Sequence, residues 1–277
     1  QFNNVMNPMW APLGNTWYDS LQLKVTKRYA RGLEAQAAYT WSKNLTTVED
    51  QAGASVPIND SFNRAKQKTF SRWDQPHILV FSLSYQLPFF ANATNPVLKH
   101  ALSGWNIGSI GRWGSGTPIQ VPAANNNLSA ILFRSTFANR VSGQPLFLKD
   151  LNCHCVNPDT EFVLNPAAWS DPAAGQWGYS AAYYNDYRYV RKYDEQFSFG
   201  KVFKFTESME LSIRAEFFNI FNRVYLPDPT ATNAQATQTR MDGKTVSGCG
   251  YINSGAIASG TSIYAPRNGQ IVARFRF

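Results

Sequence analysis

Gln196-Phe197-Ser198-Phe199-Gly200-Lys201-Val202-Phe203-Lys204-Phe205 reverses at Thr206-Glu207-Ser208 and continues as Glu210-Leu211-Ser212-Ile213-Arg214-Ala215-Glu216-Phe217. Successive side chains of a strand point to opposite faces of a sheet. Phe197, Phe199, Phe203 and Phe205 therefore share one face, and Gln196, Ser198, Gly200 and Lys204 share the other. Across the turn, Leu211, Ile213, Ala215 and Phe217 stand against Glu210, Ser212, Arg214 and Glu216. Strict two-residue alternation over this length reads as a pair of half-exposed strands and excludes an amphipathic helix.

The same pattern recurs along the chain and predicts seven strands, near 16–28, 32–44, 75–88, 104–117, 193–205, 208–221 and 266–277. The second places Leu33, Ala35, Ala37, Tyr39 and Trp41 on one face; the third does so with Leu79, Phe81, Leu83, Tyr85 and Leu87. In the fourth, Trp105, Ile107 and Trp113 keep the phase while Ile110 breaks it. The last strand carries Ile271, Ala273, Phe275 and Phe277 against Gln270, Arg274 and Arg276. At 12–14 residues, most of these strands exceed the usual soluble length of about 5–6, and strands of about 9–11 residues suffice to cross a bilayer.

Composition agrees with strands that cross lipid. Aromatic residues are 14% and charged residues only 16% of the 277 positions, where soluble domains carry about 25% charged residues. Mean hydropathy is nonetheless −0.33, and no apolar run approaches the roughly 18 residues of a membrane helix. A closed barrel is the other way to satisfy a backbone in lipid. Connections alternate short and long, the long ones being 45–74, 118–192 and 222–265, as in outer-membrane barrels with short periplasmic turns and long outer loops. The expectation is an all-β, antiparallel transmembrane β-barrel architecture in the bacterial outer membrane, with a periplasmic C-terminus and extracellular long loops. Seven strands would leave residues 1–15 in an outer loop. Since bacterial barrels have even strand numbers, the chain is expected to be the C-terminal part of a larger barrel.

Other chemistry has less support. The formal charge of +8 is spread along the chain, whereas nucleic-acid binding calls for a basic stripe with stacking aromatics. Cys153-His154-Cys155 are the nearest thing to metal ligands, but one intervening residue is too few for paired zinc ligands; a disulfide among Cys153, Cys155 and Cys249 fits an oxidising compartment better. The carboxylates Glu49-Asp50, Asp186 and Asp194-Glu195 read as solvated turns. There is no Gly-x-Ser-x-Gly, His-Glu-x-x-His or phosphate loop, and no cofactor or enzymatic activity is expected. Trp41, Tyr85, Trp105 and Trp113 are placed as interface aromatics at the rims of the apolar band. Trp169, Trp177, Tyr179, Tyr183, Tyr184, Tyr187 and Tyr189 crowd the longest loop, where packing of the loop on itself, with short helices or a small hairpin, is preferred to sugar stacking or partner binding.

Several segments carry a family resemblance. Phe70-Ser71-Arg72-Trp73-Asp74-Gln75-Pro76-His77 with Tyr85-Gln86-Leu87-Pro88-Phe89, Gly104-Trp105-Asn106-Ile107 leading to Gly114-Ser115-Gly116-Thr117-Pro118, Arg214-Ala215-Glu216-Phe217-Phe218-Asn219-Ile220-Phe221-Asn222, and Pro266-Arg267-Asn268-Gly269-Gln270 follow one another in order. Together they resemble Oar-like TonB-dependent receptors. That resemblance implies a 22-stranded plugged barrel that imports a ligand when a TonB-type energy coupler pulls on the plug, although no segment of this chain reads as plug. The terminal Ile271, Ala273, Phe275 and Phe277 resemble the signal recognised by the barrel assembly machinery. The ligand is not specified. The alternatives are a structural or adhesive outer-membrane surface protein and a soluble all-β binding module.

Overall fold

The structure is a computed structural model that describes residues 14–47, 57–60, 62–90, 92, 94–128, 135–254 and 266–277. Its strands, in chain order, are β1 (Thr16–Ala30), β2 (Leu33–Thr46), β3 (Thr69–Phe70), β4 (His77–Gln86), β5 (Trp105–Gly114), β6 (Pro118–Gln120), β7 (Asn139–Arg140), β8 (Trp169–Ser170), β9 (Tyr183–Arg188), β10 (Lys192–Lys204), β11 (Glu210–Phe218), β12 (Thr239–Met241), β13 (Lys244–Ser247) and β14 (Asn268–Arg276). A short helix, α1 (Pro96–Leu102), lies between β4 and β5.

Seven of these strands form one antiparallel meander in the order β1-β2-β4-β5-β10-β11-β14, with β3 added beside β2. The fold is all-β and antiparallel, as the alternation predicts. The strands differ from their expected limits mainly at the ends: β1 runs two residues further, while β4, β5 and β11 stop short where the chain turns into loops.

Register decides what the sheet presents. Leu21 faces Trp41, Leu23 faces Tyr39 and Val25 faces Ala37. Tyr39 then faces Leu79 and Ala37 faces Phe81, Leu79 faces Trp113 and Tyr85 faces Ile107, and Ile107 faces Phe199. Phe197 meets Phe217, and Leu211 meets Phe275. Directly paired residues lie on the same face. The apolar sets of all seven strands therefore join into one continuous apolar face, with the polar sets on the other. Ile110 falls on the polar face and is 58% exposed, which is why it breaks the sequence pattern.

That apolar face is not the inside of a soluble core. Leu23, Val25 and Ile271 are 54%, 69% and 79% exposed. Among the described residues, the large apolar side chains that are fully buried, including Ile119, Val121, Phe137, Leu164, Tyr187 and Ile252, lie outside the seven-stranded sheet. A soluble sandwich would show the reverse.

Aromatics mark the two rims of the apolar band. Trp41 pairs with His77, and the Leu87 N–H bonds the Trp105 carbonyl at 2.8 Å, ten positions along the same strand line. At about 3.3 Å per residue this is roughly 33 Å, and a tilt of about 40° reduces it to roughly 25 Å, the height of an outer-membrane apolar band. Trp105 stacks on Phe199 at 4.4 Å, and Phe81 meets Trp113 edge-on at 5.4 Å. Gly111 makes the second contact possible: a Cβ there would stand 2.3 Å from the Phe81 ring.

Leu83 lies in mid-band on the apolar face. Leu83→Arg is expected to cost about 2–4 kcal/mol and to deplete the folded, heat-modifiable species on semi-native gels. Ser82→Arg, one residue away on the polar face, should leave the folded yield unchanged.

Candidate functional site

The connections after β2, β5 and β11 all leave the same end of the sheet, here the loop end; those after β1, β4 and β10 lie at the opposite, turn end. At the loop end the long connections fold together. Ile119, Val121, Phe137, Val163, Leu164, Trp169, Tyr183 and Tyr187 form a core with Ala231, Ala234, Cys249 and Ile252 of the last loop, and Phe70 packs against it. The result is a compact cap. The expected hairpin structure within 118–192 takes the form of β6 paired with β9 and β7 paired with β8. The loop aromatics pack on each other: Trp169 and Phe147 lie 5.4 Å from Tyr187, and Trp169 lies 6.4 Å from Tyr184. Tyr179 instead projects into solvent.

One turn latches the cap to the rim. Ser71 N–H bonds the Asn44 carbonyl at 2.9 Å, and Asp74 N–H returns to the Ser71 carbonyl at 2.9 Å. This tight turn aims the Asp74 carboxylate inward, where it accepts the Asn44 N–H at 2.7 Å and Arg188 Nη2 at 2.6 Å. Arg188 Nη1 bonds the carbonyls of Asp74 and Gly116 at 2.9 and 3.1 Å. The Asp74 side chain is 1% exposed and that of Arg188 14%, so the charges are compensated almost without water. Gln75 continues the tie, donating to the Ser115 carbonyl and accepting from Arg112, both at 2.8 Å. His77 Nδ1 meets the Tyr39 hydroxyl at 2.8 Å. A Cβ on Gly116 would collide with the Tyr189 carbonyl at 1.8 Å, so glycine lets the returning loop close on the rim.

A second joint forms where β11 leaves the sheet. Asn219 and Asn222 adopt φ of 50° and 51°, a left-handed conformation that asparagine tolerates better than most residues. Asn219 Oδ1 accepts the Arg223 N–H at 2.8 Å, and Asn222 Oδ1 accepts the Arg267 N–H at 2.9 Å, drawing the start of β14 into place. Arg223 then forks onto Glu195 at 2.7 and 3.0 Å, while Trp113 Nε1 donates to the same carboxylate at 2.9 Å. Glu195 is only 4% exposed. The reading of Asp194-Glu195 as a solvated turn is therefore corrected for Glu195, which sits within β10 as a buried ion-pair partner. Asp186 pairs with Arg140 at 2.7 Å, and Glu49-Asp50 lie outside the described residues.

The remaining sequence candidates fall as follows. Cys153 and Cys155 form a disulfide, and Cys249 is a free, buried thiol in the cap core. The pairing that the sequence left open is thus Cys153 with Cys155, and Cys249 belongs to the buried cluster of Val163, Leu164 and Ile252. Both sulfurs beside His154 are in a covalent bridge, leaving no thiolate for a metal, and among the described residues no cluster of three or more His, Cys, Asp or Glu is present. Trp41 and Trp113 stand at the loop-end rim and Tyr85 and Trp105 towards the turn end. Ile271, Ala273 and Phe275 share the apolar face of β14, which is exposed along its whole length, and Phe277 is 93% exposed. Sequence reasoning missed the Asp74–Arg188 and Glu195–Arg223 pairs. Asp74 lay within a recognisable segment, but Arg188, 114 residues away, carried no local signal.

A lipid-height apolar face, a polar face behind it and a folded cap at one end define an integral outer-membrane β-barrel protein. The chain belongs to the family described as outer membrane beta barrel domain, whose model matches residues 3–270. No curated protein and no solved structure matches the chain.

Arg188→Met leaves the Asp74 carboxylate buried with a backbone N–H in place of its counter-charge, and should destabilise the cap by about 3–5 kcal/mol. Limited proteolysis within 118–192 should accelerate while the sheet stays heat-modifiable.

Burial pushes the Cys249 thiol from 9.0 up to about 11 and the Tyr189 phenol from 10.0 up to about 12, and raises Tyr187 further. Because these pKa values are raised in the folded cap, the stability linked to them is complete below about pH 9 and is lost as pH rises through 11–12. The cap should therefore open in that window, with tyrosinate absorbance and Cys249 alkylation appearing together; alkylation already at pH 8 in the folded protein contradicts this.

Proposed function

We propose that the chain supplies seven strands of a larger ligand-importing barrel of the TonB-dependent receptor kind, Oar-like in its motifs. In this reading the capped loops are extracellular and the C-terminus periplasmic. The observation that carries it is the direction of the free edges. With seven antiparallel strands in this sheet among the described residues, β1 and β14 run the same way, so closing them on each other, or on copies in the same membrane orientation, makes a parallel contact in a sheet whose other neighbours are all antiparallel. An odd number of further strands restores antiparallel closure and an even total, as in a 22-stranded plugged transporter.

The resemblance-bearing segments also support the reading. The turn around Asp74, the glycine approach at Gly116, and the Asn219–Asn222 exit with Arg267 serve as the joints between strands and cap. In this scheme the coupler acts on a plug outside the seven strands, and the assembly machinery pairs with the β14 edge bearing Ile271, Ala273, Phe275 and Phe277 by strand addition. No reaction is assigned to the chain.

The test is the mass of the polypeptide in native outer membranes. A single chain well above 31.1 kDa, with a plug ahead of these strands, is the expected result, and a mature protein of that mass overturns the reading. Orientation is tested separately with Tyr179→Cys. An impermeant maleimide should label it on intact cells, over a silent background from the bridged Cys153–Cys155 and the buried Cys249; labelling only after lysis places the cap on the other side.

A further inference from the structure

Cys153 and Cys155 are joined across a single residue. A disulfide stabilises a fold chiefly by restricting the unfolded chain, and the effect grows with the number of residues enclosed. This one encloses only His154 and so restrains very little. Its flanks are held without it. On one side Leu151 is buried in the cap core, the Cys153 N–H bonds the Asp150 carbonyl at 3.2 Å, and Asn152 Oδ1 accepts the Arg191 N–H at 3.0 Å. On the other, Val156 packs against the core, the Asn157 N–H bonds Glu161 at 2.9 Å, and Lys149 pairs with Glu161 at 3.0 Å. A bridge that secures so little of the fold matters for its chemistry.

Its two sulfurs are not equivalent. Cys155 is exposed and Cys153 half-buried, and the Cys155 N–H donates to Cys153 Sγ at 3.2 Å. A donor aimed at a sulfur favours its thiolate, and the more stable thiolate is the faster leaving group. His154 sits at φ 53°, in the left-handed region that residues with a β-carbon seldom adopt, and opening the ring frees it. We propose that Cys153–Cys155 is a thiol–disulfide exchange site for low-molecular-weight thiols. The incoming thiolate attacks Cys155 Sγ and forms a mixed disulfide there. The bond to Cys153 Sγ breaks, and its electron pair leaves on that sulfur, which the Cys155 N–H already faces. A second thiolate attacks the sulfur of the bound thiol and releases Cys155 Sγ. Two thiols are thereby oxidised to one disulfide, the protein takes up their two electrons, and their protons end on Cys153 and Cys155. Because Cys155 meets solvent directly, a dissolved thiol needs no docking surface to reach it. Cys249, buried in the cap core, takes no part.

The inference rests neither on the membrane orientation nor on the transport reading. The experiment uses the full chain folded in detergent at about pH 8, near the ordinary thiol pKa. Millimolar reduced glutathione is the probe, followed by iodoacetamide and peptide mass mapping, with an unchanged heat-modifiable gel shift showing that the barrel stays folded. Most molecules are expected to gain alkyl groups at both Cys153 and Cys155 and none at Cys249, whereas a structural bridge resists the glutathione pool. Early quenching should catch glutathione on Cys155 and the alkyl group on Cys153. The Cys153→Ser/Cys155→Ser double variant should keep the original rate of limited proteolysis within 118–192. Reduction only after denaturation, glutathione trapped mainly on Cys153, or faster proteolysis of the double variant each overturns the proposal.

Discussion

Strand register governs this protein. In a sheet with one face in lipid and one in water, slipping any strand by one residue moves its whole apolar set to the wrong side. The pairings here hold the phase from Leu21 through Trp41, Leu79, Trp113 and Phe199 to Leu211 and Phe275, and the register shifts only at the turn end of β1, between Lys27 and Ala30, among the described residues of these strands. Cross-strand contacts help pin it, through Trp105 on Phe199, Phe81 against Trp113 over Gly111, and the Tyr39 hydroxyl on His77. Because lipid replaces the hydrophobic core, these aromatics act sideways within one face.

The loop end answers a different problem. Long connections cannot remain bare backbone, and here they acquire a soluble protein's core, with Val163, Leu164, Tyr187 and Ile252 fully buried. Joining that core to the barrel requires polar contacts, since the rim is where water, lipid and protein meet. Asp74 with Arg188 and Glu195 with Arg223 meet the requirement, each a carboxylate that is at most 4% exposed and is held by an arginine and by a further donor. Such pairs add less to stability than their Coulomb energy suggests, but removal of one partner is costly, so they fix geometry more than they add strength.

Charge placed on the apolar face follows the same logic. Lys201 falls in the lipid-facing phase and is 6% exposed. It bonds the His100 carbonyl of α1 and lies 4.9 Å from Phe203 and 5.9 Å from Trp105. Cations over rings thus occur at both rims, Lys201 at the turn end and Lys43 and Lys68, over Phe70 and Trp17, at the loop end, while Lys27, at the β1 edge, lies on this face in the row of Ala35 and Leu83.

The alternation of Phe197-Ser198-Phe199 and its counterparts determined the strands, their faces, the antiparallel order and the membrane environment, because a period of two is a local property and every residue of a strand reports it. The short and long connections likewise determined which end carries the loops. The chain alone did not determine which residues meet across those loops. Arg188 reaching Asp74, Arg223 forking onto Glu195, Cys153 bridging to Cys155 while Cys249 is buried, and Lys68 settling over Trp17 all depend on how three long connections fold around one core. Partners tens to more than a hundred residues apart leave no periodicity to read, and only packing in three dimensions selects them.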